Sequence, residues 1–428
     1  MSSDKKFKNG AILSKPINGI PIQDVTDVYC PLPFNHMNLH PNGHVGLCCV
    51  SEMFPPNDGF YRDRSAPRDM MNLSRNSVSE MWLDSTVVDA RNEMLKGIKP
   101  AACHNCYKIE ERGGTSRRKT EMERWGQNIY KPRLEFLDLR MSNLCNSKCM
   151  MCNPDSSSSL AKEYKQWEDK LDFVQADPKT YQEYQWFNEE KIEQILEHKE
   201  TLKYMYINGG EPFMMPFHWK FLERLIEEGV AENIHISYNT NCSMFERWYD
   251  DIWKHFKHVS LGMSVDGYDK VNEWIRKPVK GNTWEQIDEH VNKLFFECPS
   301  LYAVNITNTV QFLNAPYLDD YYKWAQPIVD KRNANPDLGI ATINQNFLVF
   351  PHYLSLNCAS VEWKQNLKQH LQTSKYAQQI LTPTMISYLD AKDQNLNLWN
   401  QGMKFMDTVE VTRKMGPWRD IFGYDYKF

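Results

Sequence analysis

The residues best suited to chemistry are three closely spaced cysteines, Cys145, Cys149 and Cys152. They follow an apolar segment, LEFLDLRM, at residues 134–141 that is typical of a buried strand. Three thiolates at this spacing can each hold one iron of a [4Fe-4S] cluster and leave the fourth iron open to an outside ligand. A metal centre with one open position is suited to catalysis. The alternatives are a zinc site, or three buried cysteines that are neighbours by chance.

A second group of cysteines lies nearer the N-terminus and consists of Cys30, Cys48, Cys103 and Cys106. An Asn42-Gly43 pair with alternating apolar residues on both sides predicts a β-hairpin, which would bring the first two cysteines together. The other two follow a helix predicted over residues 76–97 that ends at Gly97. Four thiolates are enough to saturate an iron-sulfur cluster, and a four-cysteine zinc site is the alternative.

The N-terminal residues lack an apolar run of signal-peptide length, and no later stretch approaches the roughly 18 apolar residues of a membrane helix. We therefore expect a cytoplasmic protein with no membrane partner. In that reducing compartment, grouped cysteines are metal ligands more often than disulfides. The isolated cysteines, Cys242, Cys298 and Cys358, are interpreted as small buried hydrophobes.

Length, composition and charge bound the class of protein. The 428 residues suit two domains, and 41% hydrophobic residues with 13 tryptophans can form a large core. The net charge is -5 and the basic residues are scattered along the chain, which argues against a nucleic-acid partner.

The elements that must position the cysteines alternate between strand-like and helix-like segments from Lys131 onward. This order predicts an α/β fold with a parallel sheet and crossover helices. The strand candidates span residues 134–141, 201–207, 233–239, 259–265, 303–312 and 341–350. Helices are predicted over residues 215–229 and, behind a Thr283-x-x-Gln286 capping box, over 284–297. Residues after 351 are mostly helical in pattern.

Three arginines lie in the charged connector after the fourth cysteine of the N-terminal group: Arg112, Arg117 and Arg118. We interpret them as a solvated helix face. The alternative is that they bind a substrate carboxylate or phosphate.

Polar motifs follow the strand candidates, where the ligand-binding residues of a parallel barrel lie. The second strand is followed by Gly209-Gly210-Glu211-Pro212, in which glycines allow close backbone approach and the carboxylate can accept hydrogen bonds from an amine. Asn239-Thr240-Asn241 follows the third strand, and Ser264-Val265-Asp266-Gly267 ends the fourth. Taken alone, such segments are ordinary turns.

The cysteine triplet and these motifs, in this order, resemble the radical S-adenosylmethionine (radical SAM) superfamily. The resemblance implies a partial (β/α)6 TIM-like barrel and a [4Fe-4S] cluster whose open iron chelates SAM. In that family one electron from the reduced cluster splits SAM into methionine and a 5'-deoxyadenosyl radical, which takes a hydrogen atom from the substrate. A reductant such as flavodoxin or ferredoxin is implied as a partner.

The resemblance also assigns residues to SAM. Glu211 is expected to hold the amino group, Arg276 to approach the carboxylate, and Asp266 to contact the ribose or line the site. Met151 takes the position of an aromatic residue that packs beside the adenine in relatives, and Val310 is expected under the adenine. The full set of expected SAM-binding residues is Met151, Gly209, Gly210, Glu211, Pro212, Asn239, Ser264, Asp266, Arg276 and Val310.

The N-terminal cysteine group resembles the twitch and SPASM auxiliary-cluster domains of the same superfamily. Cys30 and Gly43 are separated by 12 residues and Gly43 and Cys48 by four, which is the opening pattern of those domains and favours Cys48 over Cys49 as a ligand. Relatives carry this domain after the core and often with a second cysteine set. We expect one auxiliary [4Fe-4S] cluster in a small α+β domain over residues 1–125, a core barrel over 126–350 and a helical extension over 351–428.

The function implied is a radical SAM oxidoreductase that modifies a peptide or protein side chain, with the auxiliary cluster as electron acceptor. A dehydrogenase of a small carbohydrate-like molecule is the first alternative. A non-catalytic iron-sulfur or zinc scaffold is the second, although a scaffold has no need of the glycine-rich segment around Glu211.

Overall fold

The computed structural model describes residues 27–51, 60, 70–126, 132–279, 283–392 and 394–422. The first ten residues, on which the prediction about a signal peptide depends, lie outside this part. Within it, no helix has both the length and the apolar character needed to cross a membrane.

The strands are β1 (His36–Leu39), β2 (Val45–Gly46), β3 (Phe136–Leu139), β4 (Tyr204–Ile207), β5 (His235–Thr240), β6 (His258–Ser264), β7 (Leu301–Val310) and β8 (Ile340–Phe347). They form one sheet in the order β2-β1-β3-β4-β5-β6-β7-β8. The pairs β3–β4, β6–β7 and β7–β8 are parallel. The six strand candidates correspond to β3 through β8, so the prediction of an α/β fold with a partial (β/α)6 barrel is confirmed.

The α-helices up to β6 are α1 (Leu32–Asn35), α2 (Val78–Trp82), α3 (Ser85–Leu95), α4 (His104–Glu111), α5 (Arg117–Trp125), α6 (Ala161–Glu168), α7 (Glu189–Leu196), α8 (Pro216–Glu227) and α9 (Tyr249–Trp253). Those after β6 are α10 (Lys270–Arg276), α11 (Trp284–Phe296), α12 (Leu318–Asn333), α13 (Val361–Gln372), α14 (Ala377–Ile380), α15 (Pro383–Asp390), α16 (Leu396–Arg413) and α17 (Trp418–Ile421). Both predicted core helices are present, as α8 and α11, and the Thr283–Gln286 capping box begins α11.

Contacts divide the chain into two compact units. The first comprises Met1–Ser142, Tyr184–Gly209 and Met215–Ile236, and the second comprises Asn143–Glu183, Gly210–Met214 and Ser237–Phe428. The cysteine triplet belongs to the second unit and the four-cysteine group to the first.

In the first unit, the predicted hairpin is formed by β1 and β2 and turns at Gly43, whose φ is +83°. A side chain is strained at this φ, and a Cβ there would lie 2.7 Å from Asn72 Oδ1, so the turn requires glycine. The other edge of β1 pairs in parallel with β3, with His36 opposite Phe136. The hairpin therefore extends the main sheet, which its sequence did not indicate.

The prediction of one helix over residues 76–97 was wrong, because the segment forms two helices, α2 and α3. Asp84 lies between them and caps α3 by accepting a hydrogen bond from Thr86 N at 2.8 Å. Aspartate favours this cap position because it satisfies a free amide of the first turn. The predicted stop at Gly97 is confirmed: α3 ends at Leu95 and Gly97 has a φ of +73°.

The connector arginines differ in environment. Arg112 is exposed, as predicted. Arg118 is buried, forms an ion pair with Glu110 and donates from Nη1 to the carbonyl of Tyr29 at 2.8 Å. For Arg118 the interpretation as a solvated face was therefore wrong, because this guanidinium is buried between Glu110 and the carbonyl of Tyr29.

In the second unit, the predicted isolated cysteines Cys242, Cys298 and Cys358 are all buried, as expected. Strands β6 to β8 have two different faces. On one face the matched residues are mostly apolar, as in Leu261–Val304–Ala341 and Met263–Ile306–Ile343, and Asn308 of β7 is also buried there. The opposite face carries three rows of matched residues, here called the polar rows. They are Gly262–Asn305–Thr342, Ser264–Thr307–Asn344 and Thr309–Asn346.

None of the polar-row residues carries a charge, and those of β8, Thr342, Asn344 and Asn346, are exposed. Parallel sheets are normally covered on both faces and have continuous apolar strands. The alternation in β7 and β8 therefore marks one face that helices leave open.

Candidate functional site

The cysteine triplet lies on a loop after β3. Cys145 and Cys149 are buried and Cys152 is half-buried, and Cys152 N donates to the carbonyl of Cys149 at 3.1 Å. Burial raises the pKa of Cys145, and Cys149 adds to the rise. Burial and Cys149 likewise raise the pKa of Cys152 to about 12. The thiols therefore lie within electrostatic range of one another, and a bound metal cation would favour their deprotonated form.

The backbone of this loop is fixed from two sides. Ser159 Oγ donates to the carbonyl of Cys145 at 2.5 Å, and Tyr164 Oη donates to that of Cys152 at 2.9 Å. On the other side, Met150 N donates to the carbonyl of Ile275 at 2.8 Å. Helices α6 and α10 thus hold the loop in one conformation.

Two nitrogen donors lie beside the sulfur atoms. Arg276 Nη1 is 3.7 Å from Cys149 Sγ, and Asn241 Nδ2 is 3.8 Å from Cys145 Sγ. Both can donate to thiolates, which suits an anionic centre.

Glu211 is fully buried near this loop. Its carboxylate accepts hydrogen bonds from Thr240 Oγ1 and from Asn241 N, both at 2.7 Å. Burial raises its pKa to about 7, against the lowering effect of these hydrogen bonds. No ion pair to Glu211 occurs among the described side chains. A buried carboxylate that has hydrogen bonds but no paired cation is suited to bind a cationic group.

The two glycines before Glu211 have positive φ, +78° at Gly209 and +59° at Gly210. A Cβ on Gly209 would lie 2.7 Å from Arg140 Cβ. The backbone therefore requires both glycines to turn before the carboxylate. Pro212, also in the motif, is buried and begins a short helical turn.

Asp266 and Arg276 form a buried ion pair, with 2.7 Å between Oδ2 and Nε. The angle at this contact is not that of a hydrogen bond. Asp266 Oδ1 accepts from Thr309 N at 2.7 Å. Burial lowers the pKa of Arg276, but Asp266 and Cys149 outweigh it, so the guanidinium stays charged. Arg276 thus connects Asp266 to the cysteine loop.

The remaining expected residues are placed less centrally. Ser264 lies in the polar rows, and exposed Asn239 has its Oδ1 2.5 Å from where a Cβ of Gly262 would be. Met151 is half-buried within the cysteine loop. Val310 is fully buried on the apolar face of β7, opposite the polar rows.

Thr240 and Asn241 were missed as partners of Glu211 at the level of sequence. The alternating burial along β5 places Thr240 on the face opposite Asn239. Alternation along this strand could therefore have predicted that Thr240 points away from Asn239. Asn241 follows the strand, and its side-chain amide donates from Nδ2 to Asn146 Oδ1 and to Ser147 Oγ, both at 2.9 Å.

The four-cysteine group comes together in the first unit. Cys30, Cys48 and Cys103 pack against one hydrophobic cluster that contains Tyr29. Burial raises the pKa of Cys30, followed by the effects of Cys48, Cys103 and Cys106. The thiol of Cys49 instead faces Arg117, Asp138 and Arg140. The structure therefore places Cys48 with the other three cysteines.

No group of three or more His, Cys, Asp or Glu side chains in the described part of the chain is arranged to hold a single metal ion. An iron-sulfur cluster takes one thiolate per iron, so its cysteines do not converge on one point as the ligands of a single ion do.

Two family models match the chain. The model of the radical SAM superfamily matches residues 139–302, and that of SPASM, an iron-sulfur cluster-binding domain, matches residues 30–107. The chain carries a radical SAM domain preceded by a SPASM domain. The predicted superfamily and subgroup are confirmed. The radical SAM domain binds a [4Fe-4S] cluster and SAM, and the SPASM domain binds auxiliary iron-sulfur clusters.

Solved structures give weaker likenesses. The chain is 19% identical to anSMEcpe with bound AdoMet, with a TM-score of 0.38, over 56% of this chain and 60% of that one. It is 18% identical to anSMEcpe with bound AdoMet and Cp18Cys peptide, with a TM-score of 0.37, over 56% and 59%. TYW1 with a lysine-pyruvate adduct is 15% identical, with a TM-score of 0.28, over 56% and 72%. The chain thus spans about 60% of anSMEcpe, and no curated protein matches it.

The residues present fit these cofactors. Two buried thiols and one half-buried thiol, with adjacent amide and guanidinium donors, suit a SAM-binding cluster in the radical SAM domain. Four thiols gathered in the SPASM domain suit a cluster with only protein ligands.

Proposed function

We propose that this chain is an enzyme that cleaves SAM reductively and oxidises a peptide or protein side chain. The observation that carries the SAM part is the carboxylate of Glu211. It is buried, has no paired cation among the described residues, and is held by Thr240 and Asn241, the second of which also reaches Cys145.

The SAM-binding cluster supplies, when bound and reduced, the electron that splits SAM into methionine and a 5'-deoxyadenosyl radical. The protein places SAM for this step. Glu211 binds the ammonium group, and hydrogen bonds from Thr240 and Asn241 keep its oxygens in place. Arg276, held by Asp266, offers a cation for the carboxylate of SAM. Because Glu211 and Asp266 are fully buried, water is excluded from these charges.

The polar rows support an uncharged substrate group. Asn305, Asn344 and Asn346 each offer a donor and an acceptor, and no charge lies in the rows to attract a phosphate or carboxylate. Residues two apart on one strand, such as Asn344 and Asn346, are about 6.6 Å apart, which is also the repeat of same-side peptide groups in an extended chain. This match favours a peptide over a small carbohydrate-like molecule.

Oxidation of the substrate removes two hydrogens overall. One leaves as an atom to the 5'-deoxyadenosyl radical, and the other leaves as a proton plus an electron. The four-cysteine group holds the cluster suited to accept that electron. An outside reductant such as flavodoxin or ferredoxin then supplies the electrons for SAM cleavage.

The SAM site is tested with Glu211→Gln. The variant keeps the size of the side chain but removes the negative charge, so we expect SAM to bind about 5- to 150-fold more weakly, as losing a charged hydrogen bond costs about 1–3 kcal/mol. The measurement is SAM affinity and 5'-deoxyadenosine formation with dithionite after anaerobic reconstitution. Glu246→Gln, at an exposed position, is the matched control. Equal SAM affinity in wild type and Glu211→Gln would refute the assignment.

The raised pKa of Glu211 adds a pH signature to the same experiment. Below a pH of about 7 the carboxyl group of the SAM-free protein is protonated and does not attract an ammonium. The SAM affinity of the wild type should therefore fall as the pH falls through about 7, with a proton released on binding. The Glu211→Gln variant should show no such dependence.

The substrate class is tested with Asn305→Leu. This variant removes the amide at the centre of one polar row, so we expect about a 5- to 150-fold loss of peptide product, because an unpaired polar group of the substrate costs about 1–3 kcal/mol. The readout is loss of two hydrogens from a synthetic peptide library by mass spectrometry. 5'-Deoxyadenosine formation without peptide should be unchanged, and Asn400→Leu, exposed on α16, is the control. A product from carbohydrate-like molecules and none from peptides would establish the alternative.

A further inference from the structure

The last long helix of the second unit reaches the cysteine loop. Arg413, at the C-terminal end of α16, donates from Nη2 to the carbonyl of Lys148 at 2.7 Å. Lys148 lies in the loop between the first two cysteines of the triplet. This contact joins the C-terminal extension, whose role the sequence did not reveal, directly to the SAM-binding cluster site.

Arg413 belongs to a triad of charged side chains. Glu163 on α6 forms ion pairs with Arg413 Nε at 3.0 Å and with Lys148 Nζ at 2.9 Å. Arg413 and Glu163 are buried, and the guanidinium carbon lies 5.5 Å from the centre of the Trp167 ring. Two cations and one anion give the triad a net charge of +1.

The net charge of this triad differs from that of the Asp266–Arg276 ion pair, which also lies beside the loop. Arg276 is neutralised by Asp266, so that pair has no net charge. Both guanidiniums lie beside Cys149: Arg276 Nη1 is 3.7 Å from its sulfur, and Arg413 contacts the carbonyl of Lys148, the residue that precedes it. Of these two guanidiniums, only that of Arg413 belongs to a group with a net positive charge.

One donor of Arg413 is unused. Nη1 is buried and has no hydrogen-bond partner among the described residues. A buried guanidinium N–H without a partner is costly, so this donor is available to a water, an ion or a ligand. The other donors of Arg413 already bond to Glu163 and to the loop backbone.

We propose that Arg413 is a positioning residue that fixes the cysteine loop and, with the net positive charge of the Lys148–Glu163–Arg413 triad, favours the reduced state of the SAM-binding cluster. Reduction adds one negative charge to a cluster, and a nearby positive charge stabilises the product of that step. Its free Nη1–H is the donor reserved for the cluster or its thiolate. The inference rests on the proposed cluster site and not on the substrate.

The test uses two variants that change the triad's charge in opposite directions. Arg413→Gln lowers the net charge from +1 to 0, and Glu163→Gln raises it to +2. At a fixed potential, the ratio of reduced to oxidised cluster should fall on the order of tenfold in Arg413→Gln and rise by a similar factor in Glu163→Gln. Arg413→Lys, which keeps the charge, should stay near the wild type.

The measurement is a redox titration of the reconstituted full chain, followed by electron paramagnetic resonance, with SAM added to identify the signal of its own cluster. Hydrogen exchange of residues 145–152 in metal-free protein reports on the loop itself and should be faster in Arg413→Gln. Arg419→Gln, whose exposed partner is Asp407, is the control.

Shifts of the same sign in Arg413→Gln and Glu163→Gln, or no shift in either, would overturn the proposal, because a purely structural role does not depend on the sign of the charge. Opposite shifts in the two variants, together with a wild type that forms no 5'-deoxyadenosine, would refute the proposed function and leave this inference standing.

Discussion

Replacing Cys145, Cys149 and Cys152 together by alanine is expected to abolish SAM cleavage and leave the auxiliary cluster in place. The three thiols form the site that Asn241 and Arg276 border, and no other described cysteine lies in that loop. The four-cysteine group belongs to the other compact unit and is complete without them. 5'-Deoxyadenosine should therefore fall to background, and iron per chain should fall by about half, since each [4Fe-4S] cluster holds the same number of irons.

Iron and sulfide analysis with electron paramagnetic resonance would check this result. Cys298→Ala removes a buried but isolated thiol and should keep both clusters, which makes it the control. A triple variant without any iron would mean that the SPASM domain cannot hold a cluster on its own.

Replacing Cys103 and Cys106 by alanine should abolish substrate oxidation and leave SAM cleavage in place. The auxiliary cluster loses half of its ligands. Substrate oxidation should therefore fall to background, because no cluster remains to accept the electron from the substrate. Dithionite reaches the SAM-binding cluster without it, so 5'-deoxyadenosine should still form within a fewfold of the wild-type rate. The assay compares peptide product with 5'-deoxyadenosine in the same reaction.

The control for this variant is Cys49→Ala, which removes a neighbouring but exposed thiol and should change neither product. SAM affinity and circular dichroism verify that the variant is folded, because Cys106 is buried in the first unit. Zinc in place of iron in the triple variant described above would make the SPASM domain structural and remove the reason for the expected loss.

Much of the site could be predicted because its residues stand at the ends of strands. The glycines before Glu211 and at the Gly43 turn adopt positive φ, which glycine accepts more readily than any other residue. Backbone conformations that depend on one residue type can be predicted from a single sequence. The same holds for the capping box of α11, which involves only residues a turn apart.

The parts that were not predicted depend on contacts between distant residues. Arg413 is far from Lys148 in the chain, and nothing near it in sequence marks it as a partner of the cysteine loop. The break at Asp84 was missed because the apolar pattern continues through it, while one capping hydrogen bond decides the boundary. Arg118 was assigned to solvent because its burial is determined by Tyr29 and Glu110.

The two faces of β7 also constrain how this protein can change. Side chains alternate strictly along a strand, so inserting or deleting one residue in β7 would exchange Asn305 and Thr307 with Val304 and Ile306. The amide of Asn305 would then be buried with the aliphatic core, and aliphatic side chains would face the open side. Both changes would lower the stability of the fold. Natural variants of this strand should therefore differ by substitution within the polar rows and keep its length. Insertions should collect in the loops beyond the strand ends, where they alter no register.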